Sequence, residues 1–113
     1  MTMKKKKRTP FSPSKRIEEL IRSTGLSPYG FSKITDISYS TLEGWLNGDL
    51  NMFVSSLQDF CQAFGISEAH FWQGKMTDQE LFSAAAGFWW QRMTVEERKQ
   101  AIGWMKSMVS SRR

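Results

Sequence analysis

The chain has 113 residues, 13% of them aromatic, and a formal net charge of +5, which allows one compact domain with an accessory element and excludes two ordinary domains. Five tryptophans and eight phenylalanines suffice for a small core, while the single Cys61 excludes an internal disulfide and is expected to be buried. No apolar run approaches the ~20 residues of a membrane span and no signal-peptide pattern follows the basic N-terminus, so we expect a cytoplasmic protein without membrane contact.

Residues 1–13 are predicted to be a flexible basic arm, since they contain two prolines, no acidic residue and no apolar periodicity. The basic residues of this arm are Lys4, Lys5, Lys6, Lys7 and Arg8. Residues 14–72, in contrast, carry seven acidic residues against four basic ones. The charge that would attract a polyanion therefore lies mainly in the tails. The alternative is that the arm only increases the solubility of the protein.

The first two helices are predicted from their caps and their apolar spacing. Ser14 is the expected cap of a first helix that ends at Gly25. Ser27, followed by Pro28, is the expected cap of a helix of about two turns. That helix stops near Asp36, a residue type that tolerates a left-handed turn conformation. The pattern indicates two short helices joined by a tight connection.

Three further helices are predicted before residue 73. The first of them begins at Ser38, ends at Gly48 and places Leu42 and Trp45 on its buried face. The next is a longer helix with apolar residues three and four apart, which stops at Gly65. A short fifth helix follows. No strand pattern occurs anywhere in the sequence.

Residues 73–113 are predicted to form a helical hairpin. Two capping boxes, Thr77 with Glu80 and Thr94 with Glu97, each satisfy two backbone donors at the start of a helix. The first of these helices is apolar around most of its circumference, which is more than one neighbouring helix can cover.

The segment Leu26–Gly48, LSPYGFSKITDISYSTLEGWLNG, with the helices around it resembles the helix-turn-helix of the phage-repressor and Cro-type family. Ser32 matches the small residue that lets the second helix approach the third, and Ile37 matches the apolar residue of the turn. The resemblance implies an all-α fold, with a five-helix repressor-like helix-turn-helix domain at 14–72 followed by the C-terminal hairpin. It also implies a DNA-binding transcriptional regulator, acting as a repressor.

The resemblance implies roles for individual side chains, because in this family the N-terminal part of the third helix meets base edges in the major groove. The implied base-reading residues are Tyr39, Ser40, Thr41, Glu43 and Gly44. The implied phosphate contacts are Ser27, Lys33, Ser38 and Asn47, together with the basic residues of the arm. Two positions depart from the family: Pro28 stands where a glutamine often touches phosphate, and Asp36 replaces the usual turn glycine.

Relatives of this type bind two half-sites as two-fold dimers, so we expect the hairpin to make the protein a homodimer. The residues expected at the dimer interface are Phe82, Trp89, Trp90, Trp104, Met105 and Met108. The alternative is that the hairpin only enlarges the core of the monomer.

Catalysis and protein binding are the alternatives to DNA binding. Catalysis needs grouped reactive side chains, and His70, the only histidine, is separated from Cys61. We therefore expect no enzyme, no cofactor and no metal site. A helix-turn-helix that binds another protein, or an antitoxin whose hairpin binds a partner protein, is left open by the sequence.

Overall fold

The computed structural model describes residues 11–51 and 53–112, over which the chain is all-helical. Its seven helices are α1 (Pro13–Ser23), α2 (Pro28–Ile34), α3 (Tyr39–Leu46), α4 (Phe53–Phe64), α5 (Glu68–Phe71), α6 (Asp78–Gln91) and α7 (Val95–Ser110). The predicted fold class, five helices followed by two more, is confirmed. Among these described residues, no helix is long and apolar enough to cross a membrane. The predictions made for Lys4, Lys5, Lys6, Lys7 and Arg8 lie outside the described residues.

Local capping chemistry sets most helix ends as predicted. Both capping boxes form: the Thr77 hydroxyl accepts a hydrogen bond from the Glu80 N–H at 3.1 Å, while the Glu80 carboxylate accepts one from the Thr77 N–H at 2.8 Å. The box at the start of α7 has the same two bonds. The three predicted glycine stops, Gly25, Gly48 and Gly65, have φ angles of 84°, 96° and 73°, a region that glycine enters without steric cost.

The start of α1 differs from the prediction. Its N-cap is Ser12, whose hydroxyl accepts a hydrogen bond from the Lys15 N–H, and not Ser14. Pro13 then occupies the first helical position, where its missing N–H costs nothing. Ser14, two residues after the cap, donates its hydroxyl to the main-chain carbonyl of Trp45 at 2.6 Å.

The boundary predicted for the arm is also wrong at residues 11–13. Phe11 is half-buried and packs against the core, with its ring edge-on to Phe71 at 6.3 Å between centroids. The guanidinium of Arg16 lies 5.0 Å from the centre of the Phe11 ring. Aromatic packing therefore makes these residues part of the folded domain.

The turn between α2 and α3 is not built on a left-handed Asp36. Among the described residues, positive φ angles occur only at glycines. Thr35 holds the turn instead, with an extended backbone at φ −103° and ψ 176°. Its hydroxyl donates to the carbonyl of Phe31 at 2.9 Å and accepts from the N–H of Ile37 at 3.3 Å. Two hydrogen bonds from one side chain replace the special backbone conformation.

The centre of the core is a cluster of phenylalanine rings. Phe31 of α2 stacks on Phe64 of α4 and on Phe88 of α6, with ring centroids 5.7 and 5.3 Å apart. Cys61 is buried as predicted, and burial raises the pKa of its thiol to about 11. Because α6 packs on α1 and α4 and supplies the buried Phe88, the predicted boundary at residue 72 does not separate two independent cores.

Helix α6 comes unusually close to α4. A Cβ atom added to Gly87 would lie 2.7 Å from the carbonyl oxygen of Phe64, so only glycine fits without movement of the backbone. Arg92, at the end of α6, donates to the carbonyls of Ala63 and Phe88 at 3.2 and 2.7 Å. These contacts fix α6 to the domain, and partial burial lowers the pKa of Arg92 from its usual value.

Helix α7 contributes no buried residue. The two predicted C-terminal helices are confirmed, but α7 does not bury an apolar seam against α6 as expected for a packed hairpin. Arg98 provides polar contacts between them, donating to the carbonyl of Trp90 at 3.0 Å. The large exposed apolar side chains of α7 are Val95, Ile102, Trp104, Met105, Met108 and Val109.

Candidate DNA-binding surface

Helix α3 is held against the domain by two buried side chains, as predicted. Leu42 is fully buried, and the Trp45 ring is edge-on to Phe53 at 4.9 Å and to Phe60 at 6.0 Å between centroids. These contacts fix the rotation of α3 about its own axis. The opposite side of the helix is consequently turned toward solvent.

A serine cap organises the first turn of α3. The Ser38 hydroxyl accepts from the N–H of Thr41 at 3.2 Å and lies 2.8 Å from the Thr41 hydroxyl, to which it donates. The hydroxyl of Ser40 lies 3.4 Å from that of Ser38. Since the first backbone N–H groups of a helix have no intrahelical partner, this end of α3 also carries a partial positive charge.

Four of the five predicted base-reading residues are exposed together on α3, and one faces elsewhere. The exposed residues are Tyr39, Ser40, Thr41 and Glu43. A Cβ atom added to Gly44 would lie 4.0 Å from Asp49, so this position faces the loop after α3. The Gly44 carbonyl also accepts a hydrogen bond of 2.8 Å from the Asp49 N–H. An added methyl group would make only ordinary contact there, so nothing in the structure requires glycine at this position.

Tyr39 links the exposed face of α3 to α2. Its ring is edge-on to that of Tyr29, with centroids 5.6 Å apart and planes at 82°. A hydrogen bond with Glu43 and the negative charge of that carboxylate raise the pKa of Tyr39 from its ordinary value. Tyr29 was not among the residues predicted from the sequence. An aromatic side chain in the first turn of α2, four residues before Lys33, was the available signal.

The predicted phosphate contacts of the described residues lie around this face. Ser27 caps α2 by accepting from the Gly30 N–H at 3.0 Å, and the exposed Asn47 caps the C-terminal end of α3. Lys33 is exposed on α2 and is the only basic residue between positions 27 and 51, which also contain three acidic residues. The local charge therefore does not by itself attract a polyanion.

The predicted interface residues fall into two groups. Trp89 donates its indole N–H to the Thr24 carbonyl at 3.1 Å, and Trp90 is half-buried beside Arg98, so both are tied to their own chain. The residues that remain largely exposed are Phe82, Trp104, Met105 and Met108. Trp104, Met105 and Met108 lie on α7. Most of the exposed apolar surface among the predicted interface residues therefore belongs to α7 and not to α6.

The short helix α2, the tight turn held by Thr35 and the anchored helix α3 define a helix-turn-helix protein. Residues 16–70, 55 of the 113 residues, match the family model of a Cro/C1-type helix-turn-helix DNA-binding domain. The resemblance drawn from the sequence is confirmed, and the matched domain supports a DNA-binding regulator. No curated protein and no solved structure matches the chain.

Proposed function

We propose that the protein is a sequence-specific regulator of transcription, acting as a repressor, that reads the major groove of double-stranded DNA with α3. The observation that carries the proposal is the orientation of α3 within a Cro/C1-type domain. Leu42 and Trp45 anchor one side of the helix, which leaves the polar side chains of its N-terminal half free to meet base edges.

The exposed side chains of α3 suit different base edges. Glu43 accepts a hydrogen bond from the amino group of cytosine, and Ser40 bonds to a donor or an acceptor. The ring of Tyr39 packs on the methyl group of thymine. Lys33 and Asn47, at the margins of this face, supply contacts to phosphate that set the register of the domain without reading sequence.

The basic arm is proposed to supply the charge that the domain lacks. Neutralisation of phosphates provides most of the non-specific affinity for DNA, and residues 14–72 carry more acidic than basic residues. The hydrogen bond between Ser14 and the Trp45 carbonyl brings the start of α1 beside the C-terminal half of α3. In the sequence, the five basic residues of the arm precede Ser14 by 6 to 10 positions.

Binding measurements test the reading helix. An operator is first selected from random duplexes with the full chain, and affinities for it and for single-base variants are then measured. Ser40→Ala and Glu43→Ala should each cost on the order of 1 to 3 kcal/mol and relax base preference at one position. Val54→Ala, an exposed position on α4, is the matched control. Unchanged selectivity in both α3 variants would show that another element reads the DNA.

We further propose that α7 makes the protein a homodimer. Val95, Ile102 and Val109 recur every seven residues with Met105 between them, a spacing typical of a helix that packs on another helix. A single recognition helix reads few base pairs, and two copies would read half-sites roughly 34 Å apart.

Light scattering at micromolar concentration tests this dimer and should give twice the 13.1 kDa mass of the chain. Met105→Glu places a charge at the centre of the exposed stripe and should produce monomers that bind the operator more weakly. Ser107→Glu adds the same charge on the polar side of α7 and should leave the dimer intact. A wild-type chain that is monomeric both free and on DNA contradicts the proposal.

A further inference from the structure

An exposed aromatic pair bridges the two helices of the helix-turn-helix. Tyr29 of α2 and Tyr39 of α3 are 55% and 40% exposed, and their rings meet edge to face at 5.6 Å. The ammonium group of Lys33 lies 5.4 Å from the centre of the Tyr29 ring. The three side chains together form a continuous patch, which we call the tyrosine patch, beside the first turn of α3.

The tyrosine patch is outside the core. The rings that fill the core, such as Phe31 and Phe64, are almost completely buried, whereas more than half of Tyr29 remains in water. A large aromatic side chain held at the surface by a second aromatic and a cation is typical of a contact surface for a partner. The phenolic hydroxyl also provides a donor at the start of α2, where Pro28 offers no N–H.

We propose that Tyr29 is a further DNA-contacting residue, whose hydroxyl donates to a backbone phosphate at the edge of the groove that α3 enters. This inference rests on the proposed function of α3. In a helix-turn-helix the helix before the recognition helix crosses the DNA backbone, and tyrosine hydroxyls are among the usual phosphate donors. Lys33 brings its positive charge to the same phosphate, so the patch combines a neutral and a charged contact.

The ring of Tyr29 has a second effect, on Tyr39. Because the two rings are in edge-to-face contact, the Tyr29 ring restricts the position of Tyr39 at the first residue of α3. The patch thereby joins a phosphate contact, which sets the register of the domain, to a side chain that meets a base. Loss of the hydroxyl and loss of the ring should have different consequences.

Four variants of the full chain separate these effects on the selected operator. Tyr29→Phe removes only the hydroxyl and should weaken binding about three- to tenfold, equally for all sequences. Tyr29→Ala should weaken it further and relax base preference at the position that Tyr39 contacts. Lys33→Gln should lower the slope of log K against log salt by about 0.9, the value for one phosphate contact. Val54→Ala, at an exposed position of α4, is the control and should bind as wild type.

The outcome is judged against Ser40→Ala and Glu43→Ala on the same operator. If those variants lose selectivity while Tyr29→Phe and Tyr29→Ala bind as wild type, Tyr29 does not contact DNA although α3 does. If no variant changes binding, the proposed role of α3 fails as well. Thermal unfolding of each variant shows whether it is folded under the conditions of the binding measurement. If Tyr29→Ala is unstable, Tyr29→Phe still tests the phosphate contact, because it keeps the ring contact with Tyr39.

Discussion

The hydroxyl of Ser14, in the first turn of α1, donates a 2.6 Å hydrogen bond to the main-chain carbonyl of Trp45, in the last turn of α3. The bond joins the start of the domain to the helix proposed to read DNA. The same carbonyl also accepts a hydrogen bond from the Gly48 N–H at 3.1 Å, so it has a partner within the chain on each side.

Ser14→Ala should therefore lower the free energy of unfolding by about 1 kcal/mol, the usual net value of one partly buried hydrogen bond. Urea denaturation followed by circular dichroism measures this difference. Ser83→Ala, at an exposed position of α6, should change stability by less than about 0.5 kcal/mol. Equal stabilities of Ser14→Ala and wild type would mean that the bond contributes nothing to the position of α3.

Arg16 and Arg22 form a matched pair on α1 with opposite environments. Arg16 is 4% exposed and donates to the carbonyls of Phe71 and Gln73, whereas the side chain of Arg22 is 77% exposed and pairs with Glu18. Arg16→Met leaves buried carbonyls without donors and should cost about 2 to 3 kcal/mol. Arg22→Met should cost less than about 1 kcal/mol, because exposed ion pairs contribute little. Similar losses in both variants would contradict this assignment.

Gly87 and Gly103 are the internal glycines of α6 and α7. At Gly103 nothing lies within 4 Å of an added Cβ, so Gly103→Ala should stabilise the protein by up to about 1 kcal/mol through helix propensity. At Gly87 the same methyl group meets the Phe64 carbonyl at 2.7 Å, and Gly87→Ala should destabilise by about 1 to 3 kcal/mol. Thermal unfolding of the two variants compares them, and a more stable Gly87→Ala would refute the close approach.

Glu80 makes stability depend on pH. The N–H of Thr77 and then the side-chain amide of Gln73 hold the pKa of Glu80 below its ordinary value of 4.5. Because the folded state lowers this pKa, the carboxylate stabilises the fold above pH 4.5, and the stabilisation is lost as the pH falls further. Wild type should consequently be more stable than Glu80→Gln near pH 7, with a difference that shrinks toward pH 3. A difference that is the same at both pH values would rule out this linkage.

Sequence reasoning predicted most of the fold because the decisive signals are local. A capping serine or threonine, an acidic residue three positions later and a glycine stop act within one turn of helix, so Thr77, Thr94 and Gly65 could be assigned without a structure. The buried anchors of α3, Leu42 and Trp45, followed from the helical period alone.

The errors arose where distant residues decide the outcome. Ser12 and Ser14 both flank Pro13, and only the position of the Trp45 carbonyl shows that the second serine is used elsewhere. The burial of Arg16 depends on carbonyls more than 50 residues away in the chain. The place of Tyr29 beside Tyr39 likewise requires the angle between α2 and α3, which no local pattern contains.

The ring of Phe88 in α6 packs against those of Phe31 and Phe64. The end of the segment that matches the family is therefore not the end of the folded core. A chain shortened to end at residue 72 would keep the whole segment 16–70 that matches the Cro/C1-type family, yet it would leave a hole the size of a phenyl ring in the core. The segment that matches the family model therefore ends before the core does, and we expect the unit that unfolds cooperatively to include α6. We expect the smallest piece of this protein that folds by itself to be longer than the segment that matches the family model.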